Sequence, residues 1–250
     1  MKARLQLLLV CLVLLAFWEW MPQDSGAITH PMTPSSIWLY LLSNWEYVLL
    51  STAYSLGFAL LGLLVAAIVS FTLLLPYLYF GRIREMMDVV VIISQTIPII
   101  ALVPLFIAGF GFGGPTLVLI TALVAFFPVY MSLISAYRSA PPDMLDLLAV
   151  YKVRRRYRVM RVFVPWCLPG LLSGLRIGAT LAIVGIIIAE ISAGTQYGWG
   201  KMIVSGIRTL SMEKSMTAIV LASFFGYLLY LAFNSWEKHL QRWLWGTGSV

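Results

Sequence analysis

The amino-acid sequence predicts an all-α, polytopic membrane protein with about six transmembrane helices and a short pair of helices on the cytoplasmic side. Hydrophobic residues make up 61% of the 250 residues and charged residues only 11%, whereas about a quarter of a typical soluble domain is charged. The apolar runs are continuous rather than alternating, which favours helices over a β-barrel. Residues 1–250 are therefore expected to form a single transmembrane domain.

Six segments are candidate spans, because a helix needs about 20 mostly apolar residues to cross the hydrocarbon core of a bilayer. They are residues 5–21, 47–75, 89–110, 116–136, 168–191 and 216–233, so that the core of the domain covers about 47–236. The first segment is short, and its flanking Lys2 and Arg4 also suit a signal peptide. Bulky residues stand at 17–20, where a cleavage site would need small ones, so an uncleaved span is favoured.

The distribution of basic residues predicts the orientation of the chain. With a cytoplasmic N-terminus, 14 of the 17 Lys and Arg residues lie on the cytoplasmic side, and only Lys201, Arg208 and Lys214 lie outside. This asymmetry obeys the positive-inside rule, and six spans then place both termini in the cytoplasm. The net charge of +7 is therefore a signal of topology. Nucleic acid is not an expected partner, because no soluble domain is present to read a groove.

Two segments, 22–46 and 192–215, are expected outside the membrane, and Gly194, Gly198 and Gly200 are expected to interrupt the second of them. Within the fifth span, small residues recur every four positions, at Gly170, Gly174, Gly178 and Ala182. Such a stripe lets helix backbones approach each other closely in lipid. It predicts helix packing within the bundle, with a homodimer contact as the alternative.

Polar and helix-weakening residues mark a candidate pathway in the third span. Pro98 removes a backbone donor and follows Gln95 and Thr96, so this part of the span is either a pathway wall or a kinked structural helix. Glu190 lies near the outer end of the fifth span, where a carboxylate is costly and often functional. It is interpreted either as a pathway or gate residue or as an interfacial acid with its own partners.

Residues for catalysis or metal binding are scarce, and neither enzymatic activity nor a metal or other cofactor is expected. His30 and His239 fall on opposite sides of the membrane, which excludes a Ser-His-Asp arrangement built on them. Cys11 and Cys167 lack metal-ligand spacing. Residues 194–201 resemble a phosphate-binding loop only superficially, since Met follows the Lys where Ser or Thr is required. Hydrolysis of ATP is therefore expected on a separate subunit.

The cytoplasmic segment, residues 139–165, differs from the rest of the chain. Two prolines at 141 and 142 end the fourth span, Asp143 can cap a new helix, and six of the ten residues 152–161 are basic. The first short helix has an apolar face formed by Met144, Leu147, Leu148 and Tyr151, and a second helix is expected from Val153. The pair could contact a soluble partner or, alternatively, lie on anionic lipid.

The same segment resembles the EAA motif of the permease subunits of bacterial binding-protein-dependent ABC importers. Asp146, Leu147 and Leu148 stand at the E-A-A positions, Lys152 stands at the usual Gly, and residues 162–165 follow after nine more residues. The flanking segments resemble the nitrate, sulfonate, taurine and thiamine-precursor branch, at residues 94–98, 103–106, 126–128, 168–170, 174–176 and 189–190, and the resemblance spans about 35–243. A Gly at 152 would permit a positive φ, so with Lys either the turn is remodelled or the docking surface has changed.

The resemblance implies a multi-pass permease of the bacterial cytoplasmic (inner) membrane that moves a small solute: a sulfonate, nitrate or similar anion, or a pyrimidine precursor of thiamine. It implies a second copy of the chain, two cytoplasmic ATP-binding subunits and an extracytoplasmic solute-binding protein, all assembled at the lipid bilayer. The residues expected to couple to the ATPase are Asp146, Leu147, Tyr151, Lys152, Arg155 and Tyr157. Those expected in the pathway are Gln95, Thr96, Pro98 and Glu190. The alternative is an ion-coupled secondary transporter that acts without an ATPase, although convincing ion-coupling acids or histidines at mid-membrane are not found in the sequence.

Overall fold

The computed structural model describes residues 13, 16–20 and 33–245, with the backbone alone for 241–245. Most of the predicted first span therefore lies outside the described residues, and within it residues 16–20 are helical. Across the described ranges every regular element is helical, which confirms the all-α class. The described residues 33–245 contain nine helices: α1 (Pro34–Ser43), α2 (Trp45–Tyr79), α3 (Gly81–Thr96), α4 (Ile99–Phe110), α5 (Gly114–Arg138), α6 (Pro142–Val150), α7 (Arg155–Ala193), α8 (Trp199–Arg208) and α9 (Met212–Trp245).

Four of these helices, α2, α5, α7 and α9, are long and apolar enough to cross a membrane. The α3–α4 pair is a fifth candidate if it counts as one span. These numbers, for the described part of the chain, agree with the prediction of about six transmembrane helices. We call the end of the bundle that carries α6 the inner end, and the opposite end, which carries α8, the outer end.

The third predicted span, 89–110, is not a continuous helix. It belongs to α3 and α4, which meet at an angle of 95° across Ile97 and Pro98. Pro98 lacks a backbone N–H and disfavours the helical region for the residue before it, and Ile97 is accordingly extended, with φ −77° and ψ 121°. Pro104 and Pro128 lie inside α4 and α5, and neither divides its helix. The presence of a proline alone therefore does not explain why the span breaks at Ile97 and Pro98.

The centre of the molecule is formed by α7, which packs along α5 through the predicted stripe of small residues. A Cβ added at Gly170 would lie 2.7 Å from the carbonyl oxygen of Ser132, and one at Gly174 would lie 2.7 Å from the Cα of Val129. Contacts this short would force the two backbones apart. Gly178 and Ala182 are buried in the same helix. Since α5 of the same chain occupies the stripe, the stripe is not open to a second copy.

The segment 192–215, which the sequence places outside the membrane with three glycines interrupting it, contains α8 and the start of α9. Gly194 ends α7 in the left-handed conformation, with φ 61°, and Gly198 precedes α8 with φ 119°. Gly200, in contrast, lies inside α8, where an added Cβ would lie 2.7 Å from the carbonyl oxygen of Ile187. Gly194 therefore ends α7, Gly198 precedes α8, and Gly200 allows α8 to pack on α7.

The last helix, α9, is joined to α7 by a polar cluster between the two spans. Arg176 forms an ion pair with Glu237, with Nη1 and Oε2 3.0 Å apart, and also donates to Asn234 Oδ1 at 3.0 Å. Ser173 donates to the other carboxylate oxygen of Glu237 at 2.6 Å. The Arg176 side chain, a conspicuous cation within the fifth span, is therefore neutralised by the neighbouring helix.

Candidate functional site

At the inner end, the cytoplasmic segment presents an open apolar and basic surface. Helix α6 packs on the core through Met144 and Leu148. Its other side is exposed, with 57% of Leu147 and 75% of Tyr151 accessible to solvent. All six residues predicted to couple to a partner are exposed in this way: Asp146, Leu147, Tyr151, Lys152, Arg155 and Tyr157.

The turn after α6 has the backbone geometry that a glycine, the usual residue of the motif at position 152, would adopt easily. The N–H of Val153 donates to the carbonyl oxygen of Leu148 at 3.2 Å, and the N–H of Lys152 donates to that of Ala149 at 3.0 Å. This pair of hydrogen bonds is the Schellman motif, which places the residue after the helix in the left-handed region. Lys152 adopts it, with φ 45°. The turn is therefore not remodelled, and the lysine carries the strained backbone conformation.

The second helix of the predicted pair begins at Arg155, two residues later than expected, and continues without a break into the fifth span. The first residues of α7 are followed by a π-helical turn, Arg158–Phe163, and then by regular α-helix up to Ala193. Turns of this kind are rare and frequently occur at functional sites. The helical backbone is therefore continuous from Arg155 into the span.

Beneath the cytoplasmic segment lies a polar cluster centred on Tyr77, which sequence reasoning missed. The guanidinium of Arg138 donates to the Tyr77 hydroxyl at 2.9 Å and forms an ion pair with Asp88. Nε of Arg84 donates to the Tyr77 carbonyl oxygen at 2.9 Å. These contacts join the inner ends of α2, α3 and α5.

Aromatic rings connect this cluster to α7. The Arg84 guanidinium lies 4.9 Å from the centre of the Tyr137 ring. That ring in turn packs edge-on against Phe163, with 5.1 Å between the ring centres. The Arg155 guanidinium also lies 5.8 Å from the centre of the Phe80 ring at the end of α2. The root of the cytoplasmic segment is therefore packed against three other helices.

Three of the four predicted pathway residues lie together at the break between α3 and α4. Gln95, Thr96 and Pro98 are all exposed. A small cavity of about 30 Å³ lies beside them, lined by Ser94, Gln95, Ile97, Ile99, Leu123 and Phe126. Helix ends leave backbone groups without partners in the helix. At membrane depth such groups are tolerated only inside protein or along a water-filled cavity.

Glu190, the fourth predicted pathway residue, lies elsewhere. Its side chain is only 1% exposed. It accepts a hydrogen bond from the Ser55 hydroxyl at 2.7 Å and one from the backbone N–H of Gly200 at 2.7 Å. Of the two alternatives, the geometry favours an acid with its own partners. Through Gly200, the Glu190 carboxylate caps the start of α8.

Residues 59–246 match the protein family described as "Binding-protein-dependent transport system inner membrane component". A probable ABC transporter permease protein of Haemophilus influenzae is 27% identical over 250 residues, covering 99% of this chain and 100% of that protein. The putative aliphatic sulfonates transport permease protein SsuC of Bacillus subtilis is 26% identical over 249 residues, covering 94% of this chain and 86% of that protein.

The fold is similar to that of a chain in an inward-facing structure of the MetNI methionine ABC transporter. The TM-score is 0.59 at 19% sequence identity, and the match covers 84% of this chain and 99% of that chain. The family match includes α5, the cytoplasmic segment and all of α7. The chain therefore belongs to the inner-membrane permease components of binding-protein-dependent transport systems.

Proposed function

We propose that this permease works as a homodimer with two cytoplasmic ATP-binding subunits and an extracytoplasmic solute-binding protein, with both of its termini in the cytoplasm. ATP hydrolysis belongs to the separate subunits. The observation that supports this proposal best is the exposed apolar surface of α6, which is joined through a short turn to an unbroken spanning helix. A partner that grips α6 can therefore move α7.

The charge of α6 favours a protein partner over the membrane surface. The helix contains Asp143 and Asp146 but no Lys or Arg, so anionic lipid would repel it. Its exposed apolar side chains, Leu147 and Val150 among them, would be covered by a groove on another protein. The basic residues that follow, from Lys152 onward, would then contact acidic groups at the edge of that groove.

Coupling requires that ATP favour one of two conformations of the bundle, because a ligand shifts an equilibrium only by its differential affinity for the two states. We propose that closure of the two ATP-binding subunits displaces α6, that α7 tilts with it, and that the pathway opens outward to receive solute. Hydrolysis of ATP then restores the inward-facing state.

The proposed pathway passes the break between α3 and α4, where Gln95, Thr96 and Pro98 are exposed. Discontinuous spanning helices with polar side chains at the break are typical of solute pathways in transporters. The solute we propose is small: a sulfonate, nitrate or similar anion, or a pyrimidine precursor of thiamine. Of these solutes we favour a sulfonate, because the Bacillus subtilis relative is described as a putative permease for aliphatic sulfonates.

The alternative, an ion-coupled secondary transporter, would need a carboxylate available to an ion or proton within the bundle. The two buried carboxylates among the described residues are Glu190 and Glu237. Glu190 is occupied by Ser55 and Gly200, and Glu237 by Ser173 and Arg176. Neither is offered to an open cavity, so this alternative has less support.

The proposal is tested by making the exposed surface of α6 acidic. Purified wild-type protein should retain an ATPase subunit from its own cells, and the double variant Leu147→Glu, Tyr151→Glu should lose it, because buried charges without partners oppose docking. Nucleotide-driven uptake in proteoliposomes should fall by about tenfold or more, which corresponds to about 1.4 kcal/mol of coupling.

Met86→Glu is the matched control, since Met86 is an equally exposed apolar residue of the same end of the bundle. It should leave both measurements unchanged. Undiminished uptake by the double variant, or transport by the wild-type protein without any ATPase subunit, would refute the proposed function.

A further inference from the structure

At the outer end, three helices, α2, α7 and α8, meet in a buried cluster that we call the outer joint: Thr52, Ser55, Glu190, Trp199 and Gly200. The carboxylate of Glu190, from α7, accepts hydrogen bonds from the Ser55 hydroxyl of α2 and from the Gly200 N–H of α8. The Ser55 oxygen also accepts the backbone N–H of Trp199 at 2.8 Å. A single hydroxyl and a single carboxylate therefore satisfy the first two backbone N–H groups of α8.

The rest of the outer joint fits closely around these groups. Trp199 is fully buried, its indole N–H donates to Thr52 Oγ1 at 3.2 Å, and its ring stacks on Phe225 of α9 at 6.0 Å between ring centres. A Cβ at Gly200 would lie 2.7 Å from the Cβ of Glu190. Helix α8 is thus held against α7 without space for an intervening side chain.

Glu190 also lies near the outer end of a long continuous helix. Helix α7 has 39 residues from Arg155 to Ala193, which is about 58 Å at a rise of 1.5 Å per residue. Its inner end lies in the cytoplasmic segment, and its outer end carries the carboxylate that holds α8. The two ends are connected by continuous helix. In its middle, α7 packs on α5 through the glycine stripe.

We propose that Glu190 is a positioning residue that makes α8 an outer extension of α7, so that a movement of the cytoplasmic segment reaches the outer surface through one body. The proposal rests on the proposed function, because the movement is supplied there by the ATPase. The exposed end of α8, where Ile207 is 54% accessible, should then move whenever the inner end of α7 moves.

The carboxylate supplies a polar contact that the apolar packing of α8 does not. A helix of 10 residues depends on tertiary contacts, since isolated helices shorter than about 12 residues are unstable in water, and Glu190 binds the Gly200 N–H in the first turn of α8. Removal of the Glu190 side chain leaves the Gly200 N–H buried without a partner, and it deprives Ser55 of its acceptor. Helix α8 should then remain folded only loosely and no longer follow α7.

The test measures distances between spin labels in the two protomers of the assembled complex, by electron paramagnetic resonance, in a background with Cys11 and Cys167 replaced by Ala. One protein carries Val184→Cys in α7 and another carries Ile207→Cys in α8, both exposed positions. On addition of the non-hydrolysable nucleotide AMP-PNP, we expect both label pairs to shift. With Glu190→Ala, the Val184 pair should still shift and the shift of the Ile207 pair should be lost.

Two further variants separate positioning from other roles of the acid. Glu190→Gln can accept from Gly200 and donate to Ser55, so it should restore the Ile207 shift, whereas a role of the negative charge itself would not be restored. Thr180→Ala is the matched control, because the Thr180 hydroxyl donates to the Ile177 carbonyl of its own helix, and it should behave as wild type. If Glu190→Ala fails to insert, Ser55→Ala removes the same link more mildly.

The outcomes distinguish the two proposals. If the Val184 pair does not shift with nucleotide, the proposed function fails. If that pair shifts and the Ile207 pair does not, in the wild-type background, the role of Glu190 is refuted while the proposed function survives. A doubly labelled protein, diluted with unlabelled protein and measured without nucleotide, decides the outer joint in either case: the Val184–Ile207 distance should be narrow in wild type and broad in Glu190→Ala, and equal widths would overturn the proposal.

Discussion

Lys152 combines an unfavourable backbone conformation with an exposed position in the surface proposed to meet the ATPase. A residue with a Cβ in the left-handed region costs about 1–2 kcal/mol relative to the right-handed one, and helices that end in a Schellman motif usually place Gly there. Lys152 retains φ 45° because the two hydrogen bonds of the motif and the packing of α6 fix the turn. The backbone conformation therefore does not explain why a lysine stands at position 152, and we expect the reason to lie in its side chain.

Lys152→Gly should stabilise the protein by about 0.5–1 kcal/mol, because relief of the left-handed strain exceeds the greater entropy of glycine in the unfolded chain. The measurement is the thermal unfolding midpoint of the detergent-solubilised protein. Lys152→Ala is the matched control, since it removes the charge but keeps the Cβ. Equal stabilities of the Gly and Ala variants would show that φ is not the source of the cost.

Between elements, the ion pair of Arg176 and Glu237 connects α7 with α9 within the span. The pair is partly buried, with 26% of the Arg176 side chain and 10% of the Glu237 side chain exposed. A buried ion pair adds little net stability compared with an apolar pair of the same size, but removal of one partner of a fully buried pair costs about 3–5 kcal/mol, because the other charge is left alone. The contact with Ser173 only partly compensates a lone carboxylate. The pair therefore fixes which faces of the two helices meet.

Arg176→Met should lower stability by about 3 kcal/mol, since Glu237 is left without its cation. The double variant Arg176→Met, Glu237→Gln should regain most of that loss, because neither charge is then buried. Thermal unfolding of the two variants in detergent is the measurement, with Glu237→Gln alone completing the cycle. If the single Arg176→Met variant proved as stable as the double, the two residues would not be coupled.

For the molecule as a whole, hydropathy and charge were sufficient to predict the all-α class, the approximate spans and the exposed cytoplasmic segment. These features depend on composition over stretches of 10 or more residues. The outer joint and the Tyr77 cluster were missed, because each joins residues far apart in sequence, such as Ser55 with Glu190 and Tyr77 with Arg138. A glycine that ends a helix and one that permits close packing look alike in sequence, so the sequence predicts an interruption at Gly200, which lies inside α8.

The proposed pathway of the whole molecule passes the break between α3 and α4. Thiol labelling tests whether water reaches this break. In a background without Cys11 and Cys167, Gln95→Cys should react with a charged, membrane-impermeant methanethiosulfonate reagent, because exposed backbone at membrane depth requires water. Its rate should change at least severalfold when AMP-PNP is added to the assembled complex, since alternating access exposes one side at a time.

Leu64→Cys is the matched control for this labelling, because Leu64 is an exposed residue in the middle of the apolar helix α2, where lipid is the expected surrounding. It should remain unreactive in both states. Glu190→Cys should also be protected, since its position is enclosed by α2 and α8. Equal rates at Gln95→Cys and Leu64→Cys would mean that lipid, and not water, surrounds the break, and the pathway would then have to lie on another face of the bundle.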